Sequence, residues 1–204
     1  MRALIIVDLQ YDFMPGGALA VADGDATVAV ANRLMPHFDL VVATQDFHPP
    51  GHGSFASQHA GTAPGEQIDL HGLPQTLWPD HCVQGTRGAE LHEALECARI
   101  ARLFPKGMDT TVDSYSGFFD NGKRKATGLA EYLKGEGVTD VFVMGLATDY
   151  CVKFTALDAA ELGFATRVIT DGCRAVNLQP GDGEAALAEL REAGVLPVRA
   201  AELC

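Results

Sequence analysis

The chain has 204 residues, 47% hydrophobic and 21% charged, which is an ordinary globular balance with enough length to bury one sizeable core. Its 27 acidic against 15 basic residues leave a net charge of −12, which argues against nucleic acid or an anionic membrane as a partner. Five cysteines (82, 97, 151, 173 and 204) form no CxxC pair, and that odd set fits reduced thiols in a cytoplasmic protein better than a disulfide framework.

The chain opens on an apolar run, residues 3–7, that Asp8 ends. It is far shorter than the ~20 residues of a membrane span and lacks the length of a secretory signal, so it reads as a buried strand. A helix is expected over 25–35 and a second strand over 40–44. The stretch from 45 to 85 fits neither period: it is rich in Gly and Pro and holds five of the seven histidines. Its His, Trp and Phe content is unlike a disordered segment, so a folded site loop at about 45–88 is expected. Beyond it, a helix is expected at 88–96, a strand at 100–104, a helix at 127–136 and a strand at 141–144. A helix at 151–162, a strand at 167–170, a helix at 182–193 and a strand at 195–199 complete the chain, with Gly163 and Gly194 at the expected helix C-caps. Short apolar runs alternating with helices predict one α/β domain over 1–204, a mostly parallel sheet covered on both faces.

In such sheets ligands sit beyond the carboxyl ends of the strands, so the residues found there matter. Asp8 follows the first strand, Asp46-Phe47-His48 the second, Lys106 the third, and the turn into Cys151 the fourth. Cys151 opens a helix, where N–H groups and the helix dipole favour a thiolate and can hold an oxyanion. A small buried hydrophobe is the plainer reading for this cysteine, and the only one offered for the other four. Asp8 is a candidate base and Lys106 a candidate counter-charge, though alone they also read as a simple ion pair. Asp46-x-His48 with His81 suits a divalent metal, and His52 and Ser54 lie near enough to join its shell. Phe13, Trp78 and Tyr115 fall in loops near the same edge and could stack on a flat ring.

Several segments resemble the nicotinamidases among the isochorismatase-like cysteine hydrolases: Ile6-Val7-Asp8-Leu9-Gln10 with Asp12-Phe13, Gln45-Asp46-x-His48-Pro49 with His52-Gly53-Ser54-Phe55, and Leu77-Trp78-Pro79-Asp80-His81-Cys82-Val83. Lys106-Gly107, Asp113-Ser114-Tyr115-Ser116 and the run from Met144 to Val152 extend the likeness, which reaches about Cys173. The resemblance implies a three-layer fold with a six-stranded parallel sheet of order 3-2-1-4-5-6. It implies hydrolysis of nicotinamide, and of pyrazinamide, through a thioester on Cys151, with Asp8 as base and Lys106 orienting the pair. It further implies an oxyanion hole from Ala147 and Cys151, a cis Leu146–Ala147 peptide, and one divalent ion on Asp46, His48 and His81. Zinc is expected, with iron or manganese also compatible. Phe13, Trp78 and Tyr115 would bind the ring, within NAD salvage. Another small-amide or N-carbamoyl hydrolase on the same scaffold is the alternative, and a homo-oligomer is left open.

Overall fold

The computed structural model describes residues 1–204. Eight strands form: β1 (Arg2–Val7), β2 (Leu40–Asp46), β3 (Gln67–Leu70), β4 (Leu73–Thr76), β5 (Arg102–Lys106), β6 (Asp140–Leu146), β7 (Ala165–Arg174) and β8 (Leu196–Val198). Four helices accompany them: α1 (Ala26–Leu34), α2 (Leu129–Gly135), α3 (Lys153–Glu161) and α4 (Asp182–Glu192). Six strands make one sheet of order β5-β2-β1-β6-β7-β8, and every neighbouring pair runs parallel. With the separate β3–β4 hairpin set aside, this is the expected 3-2-1-4-5-6 order.

The centre of the sheet explains why the apolar runs are unbroken. Both faces of β1 are covered, so Ala3, Leu4, Ile5, Ile6 and Val7 are all fully buried and no alternation with polar residues is needed. Each such Leu, Ile or Val contributes about 1.5–3 kcal/mol by leaving water. The helices cover the faces with narrow apolar stripes; on α1 these are Thr27, Val28, Ala31 and Leu34. Gly163 and Gly194 follow α3 and α4 in the left-handed conformation, as C-cap glycines do. Gly145 in β6 has a different reason to lack a side chain: a Cβ there would stand 2.1 Å from the Val7 carbonyl oxygen. No helix is long and apolar enough to cross a membrane.

Three expectations need correction. No α-helix forms over 88–96, because tertiary hydrogen bonds take up the carbonyls that a helix would use. Gln10 Nε2 and Gln45 Nε2 donate to the Ala89 carbonyl at 2.9 and 2.8 Å, and Tyr11 N–H donates to the Glu90 carbonyl. The fifth strand lies two residues later than expected, so Lys106 ends it rather than following it; Asp46 likewise ends β2. The long 45–85 loop contains the antiparallel β3–β4 hairpin, whose buried positions include the polar Gln75 and Thr76 and so gave no apolar signal.

Candidate active site

The strand ends bring the candidate residues together. Asp46 and Lys106 are direct neighbours across β2 and β5. Asp8 follows β1 with a φ of 51°, a left-handed turn that directs the chain away from the sheet at its edge. Beyond β6 the Leu146–Ala147 peptide is cis, and residues Thr148–Val152 make a single π turn that leads into α3. The Val152 N–H donates five residues back to the Ala147 carbonyl at 3.0 Å, the mark of that wider turn. Cys151 sits inside it.

Lys106 is the hub. Its ammonium lies 3.0 Å from Asp8 Oδ2, 3.0 Å from Asp46 Oδ1 and 3.4 Å from Cys151 Sγ, and it donates to the Ser114 carbonyl at 2.9 Å. Burial opposes the charge, yet Asp46 and Asp8 outweigh it and hold the Lys106 amine well above its usual range. The other Asp8 oxygen, Oδ1, accepts the Thr44 hydroxyl at 2.6 Å. Asp8 Oδ2 faces the Lys106 ammonium as its charge partner at 3.0 Å. Desolvation raises Asp8 above its ordinary 3.8, with Lys106 only partly opposing it. Burial also pushes the Cys151 thiol well above its usual value, more than Lys106 draws it down. Burial thus works against the thiolate that the helix start favours, and Asp8 is the base at hand.

The second cluster adjoins the first through Asp46. Asp46 Oδ2 lies 3.0 Å from His48 Nε2 and 3.2 Å from His81 Nε2, and all three residues are buried. His48 Nδ1 donates to the Gly107 carbonyl and His81 Nδ1 to the Pro79 carbonyl, which leaves the Nε2 atom of each turned to Asp46. Burial opposes a proton on His48, but Asp46 beside it lifts its pKa to about 9; the same His48 and Lys106, against burial, hold Asp46 well below the carboxylate range. Candidate ligand atoms of Asp46, His48 and His81 fall within 4.8 Å of one another, and this buried N/N/O set fits a divalent metal. Gly107 makes room for it. A Cβ at Gly107 would lie 2.5 Å from His48 Cε1, and its φ is 64°.

The question left open at His52 and Ser54 is only partly resolved. His52 Nδ1 and Ser54 Oγ pair with each other at 2.8 Å, while His52 Nε2 has no partner. His48, His52 and Asp113 form a second ligand-type group. Phe13, Trp78, Tyr115, Ala147 and Cys151 line one narrow cleft together with Asp46 and His81. The Tyr115 hydroxyl accepts from Trp78 Nε1 at 3.2 Å and so braces the indole. A wider groove adjoins the cleft across Tyr115 and Tyr150, but the reacting groups converge only in the narrow one. Among the cysteines, 82, 151 and 173 are buried and 97 and 204 exposed, so the last two hold no core together.

Sequence reasoning did not single out Thr44, Ser114, Tyr150 or Val176. Gln10 was quoted only as part of a motif, yet its side chain clamps the Asp46 backbone, accepting the Asp46 N–H at 2.8 Å and donating to its carbonyl at 2.7 Å. A glutamine three residues past a strand end was the signal available for it.

Residues 2–202 match the Isochorismatase domain. The chain belongs to the isochorismatase family. Within that family it stands with the nicotinamidases: it is 56% identical to the nicotinamidase of Escherichia coli K12 over 197 residues, 95% of this chain and 92% of that one. A solved nicotinamidase/pyrazinamidase from Acinetobacter baumanii superposes with a TM-score of 0.96 at 44% identity, covering 100% of this chain and 98% of the other. The pyrazinamidase of Pyrococcus horikoshii, solved in complex with zinc, superposes with a TM-score of 0.76 at 37% identity, covering 97% of this family member and 98% of its own chain.

Proposed function

We propose that this chain, as one catalytic domain over 1–204 with its metal-site loop at about 45–88, is a nicotinamidase that hydrolyses nicotinamide to nicotinate and ammonia. Pyrazinamide is a second substrate, and the reaction serves NAD salvage in the cytoplasm, where five free thiols persist. The observation that carries the reading is the Lys106 ammonium, 3.0 Å from Asp8 and 3.4 Å from the sulfur of Cys151, which itself lines an aromatic cleft.

Cys151 is the nucleophile and Asp8 the base. Asp8 takes the thiol proton as sulfur attacks the carboxamide carbon. Lys106 stays charged between its two carboxylates and steadies the thiolate as it forms. The N–H groups of Ala147, just before the π turn, and of Cys151, within it, stabilise the developing oxyanion. Asp8 then gives its proton to the leaving nitrogen, so that ammonia departs and the acyl group remains as a thioester. Water, deprotonated by the same Asp8, cleaves it to nicotinate and returns the thiol proton. Phe13, Trp78 and Tyr115 hold the pyridine ring.

Asp46, His48 and His81 would hold one divalent ion, which when bound would bind the ring nitrogen as a Lewis acid and fix the carboxamide for attack. The zinc-bound relative supports zinc, and the N/N/O set also admits iron or manganese. This trio beside the cleft favours a ring amide over an N-carbamoyl substrate, which offers no ring nitrogen. The test is ammonia release from nicotinamide by purified protein. Cys151→Ala should lower turnover by at least about 10⁴-fold, and turnover close to wild type in that variant would overturn the assignment.

A further inference from the structure

Asp149 is a buried carboxylate that the proposed chemistry does not use. It lies two residues before Cys151, within the same π turn. No lysine or arginine pairs with it among the ion pairs of the chain. Instead each of its oxygens accepts one backbone N–H from the loop that leaves β7: Val176 N–H to Oδ1 at 2.9 Å and Asn177 N–H to Oδ2 at 2.8 Å. Asn177 takes a left-handed φ of 53° to present that N–H, and its side chain in turn accepts the Gly183 N–H in the first turn of α4 at 2.9 Å. Val176, between these anchors, lines the cleft that also holds Cys151, Trp78 and Phe13.

From this chain of contacts we infer that Asp149 is a positioning residue that clamps the loop after β7 and so sets Val176 as the wall of the ring slot. The inference rests on the nicotinamidase reading. A hydrogen bond to a charged acceptor inside the protein is stronger than a neutral one, and here two of them close on one side chain. The same residue reaches the nucleophile turn through its backbone and the slot wall through its carboxylate. An apolar wall touches the ring equally in the ground state and the transition state, so loosening it weakens binding and leaves the chemical step alone.

Asp149→Asn keeps the shape but faces one of the two N–H groups with an amide NH₂ rather than an acceptor. KM for nicotinamide should rise about tenfold, from the loss of a charge-assisted bond, with kcat within about threefold of wild type. Val176→Ala should raise KM in the same direction. If Asp149 acts through Val176, the double variant should show a KM close to that of the worse single variant. Trp78 is the only tryptophan and lines the cleft, so its fluorescence measures nicotinamide affinity in a Cys151→Ala background, apart from turnover. A fall in kcat at constant KM, or effects that multiply in the double variant, would overturn the inference. If Asp149→Asn does not fold, Val176→Ala decides alone, and an unchanged KM refutes the clamp. Wild-type protein that neither hydrolyses nor binds nicotinamide would instead refute the underlying reading, and the inference with it.

Discussion

The two halves of the site are built in different ways. Lys106 ends β5, Asp8 directly follows β1 and Cys151 sits in the π turn reached from β6, so each stands on or close behind a strand of the sheet. Of the metal-type trio, only Asp46 ends a strand; His48 and His81 stand in irregular chain held by Gly107 and Pro79 carbonyls. The first cluster inherits its geometry from the hydrophobic core, whereas the second depends on a handful of local hydrogen bonds. Strand ends are therefore the rigid place to react and the loop the adjustable place to hold a ligand. Asp46 belongs to both.

That contrast can be broken most forcefully at the shared hub. Lys106→Met leaves Asp8 and Asp46 buried without their cation and should cost about 3–5 kcal/mol of stability besides nearly all activity; a melting curve and an ammonia assay check both. Next comes the loop half alone. His48→Ala should abolish stoichiometric metal in elemental analysis while the melting temperature falls far less than in Lys106→Met. An equal loss of stability would mean that the two clusters are not built differently after all. Gly107→Ala lies between them: its Cβ meets the His48 ring and its φ is unfavourable, so metal affinity should drop about 10–100-fold, as when an outer partner of a ligand is lost.

The smallest effects concern protons on the rigid half. Asp8 acts as base only when ionised, and its pKa is raised, so kcat/KM should climb with pH along a limb centred above 3.8. Thr44→Val removes the hydroxyl that stabilises ionised Asp8, so the limb should move to higher pH. A pH–rate profile that does not move, or moves to lower pH, would show that another group sets it. Linkage gives the matching sign for stability. Raised in the folded state, Asp8 favours folding most below pH 3.8, and that contribution fades as pH rises through its folded value.

The same contrast decided what could be read in advance. The strands and most helices were legible because burial on both faces leaves continuous apolar runs, and because Gly163 and Gly194 end helices where their conformation is needed. The strand ends then placed Asp8, Asp46, Lys106 and Cys151 at one edge without further information. The loop was harder. The β3–β4 hairpin carries exposed polar residues and a proline at 74, so neither period could show it. The helix expected at 88–96 failed because Gln10, Tyr11 and Gln45, distant in sequence, claim its carbonyls. The environment of the Cys151 thiol also lay beyond local reasoning: a helix start favours a thiolate, whereas full burial, a tertiary property, opposes it. Likewise Asp149 and Val176 became visible only once the loop after β7 was seen to fold back on the π turn.

Lys106 and Gly107 are consecutive residues, one touching the sulfur and the other the imidazole of His48. The separation between thiol chemistry and ring anchoring is thus spanned by a single peptide linkage, which cannot stretch. Insertions in the 45–85 segment can reshape the mouth of the cleft, but an added residue at this junction would pull the two apart, leaving a ring held out of reach of its nucleophile.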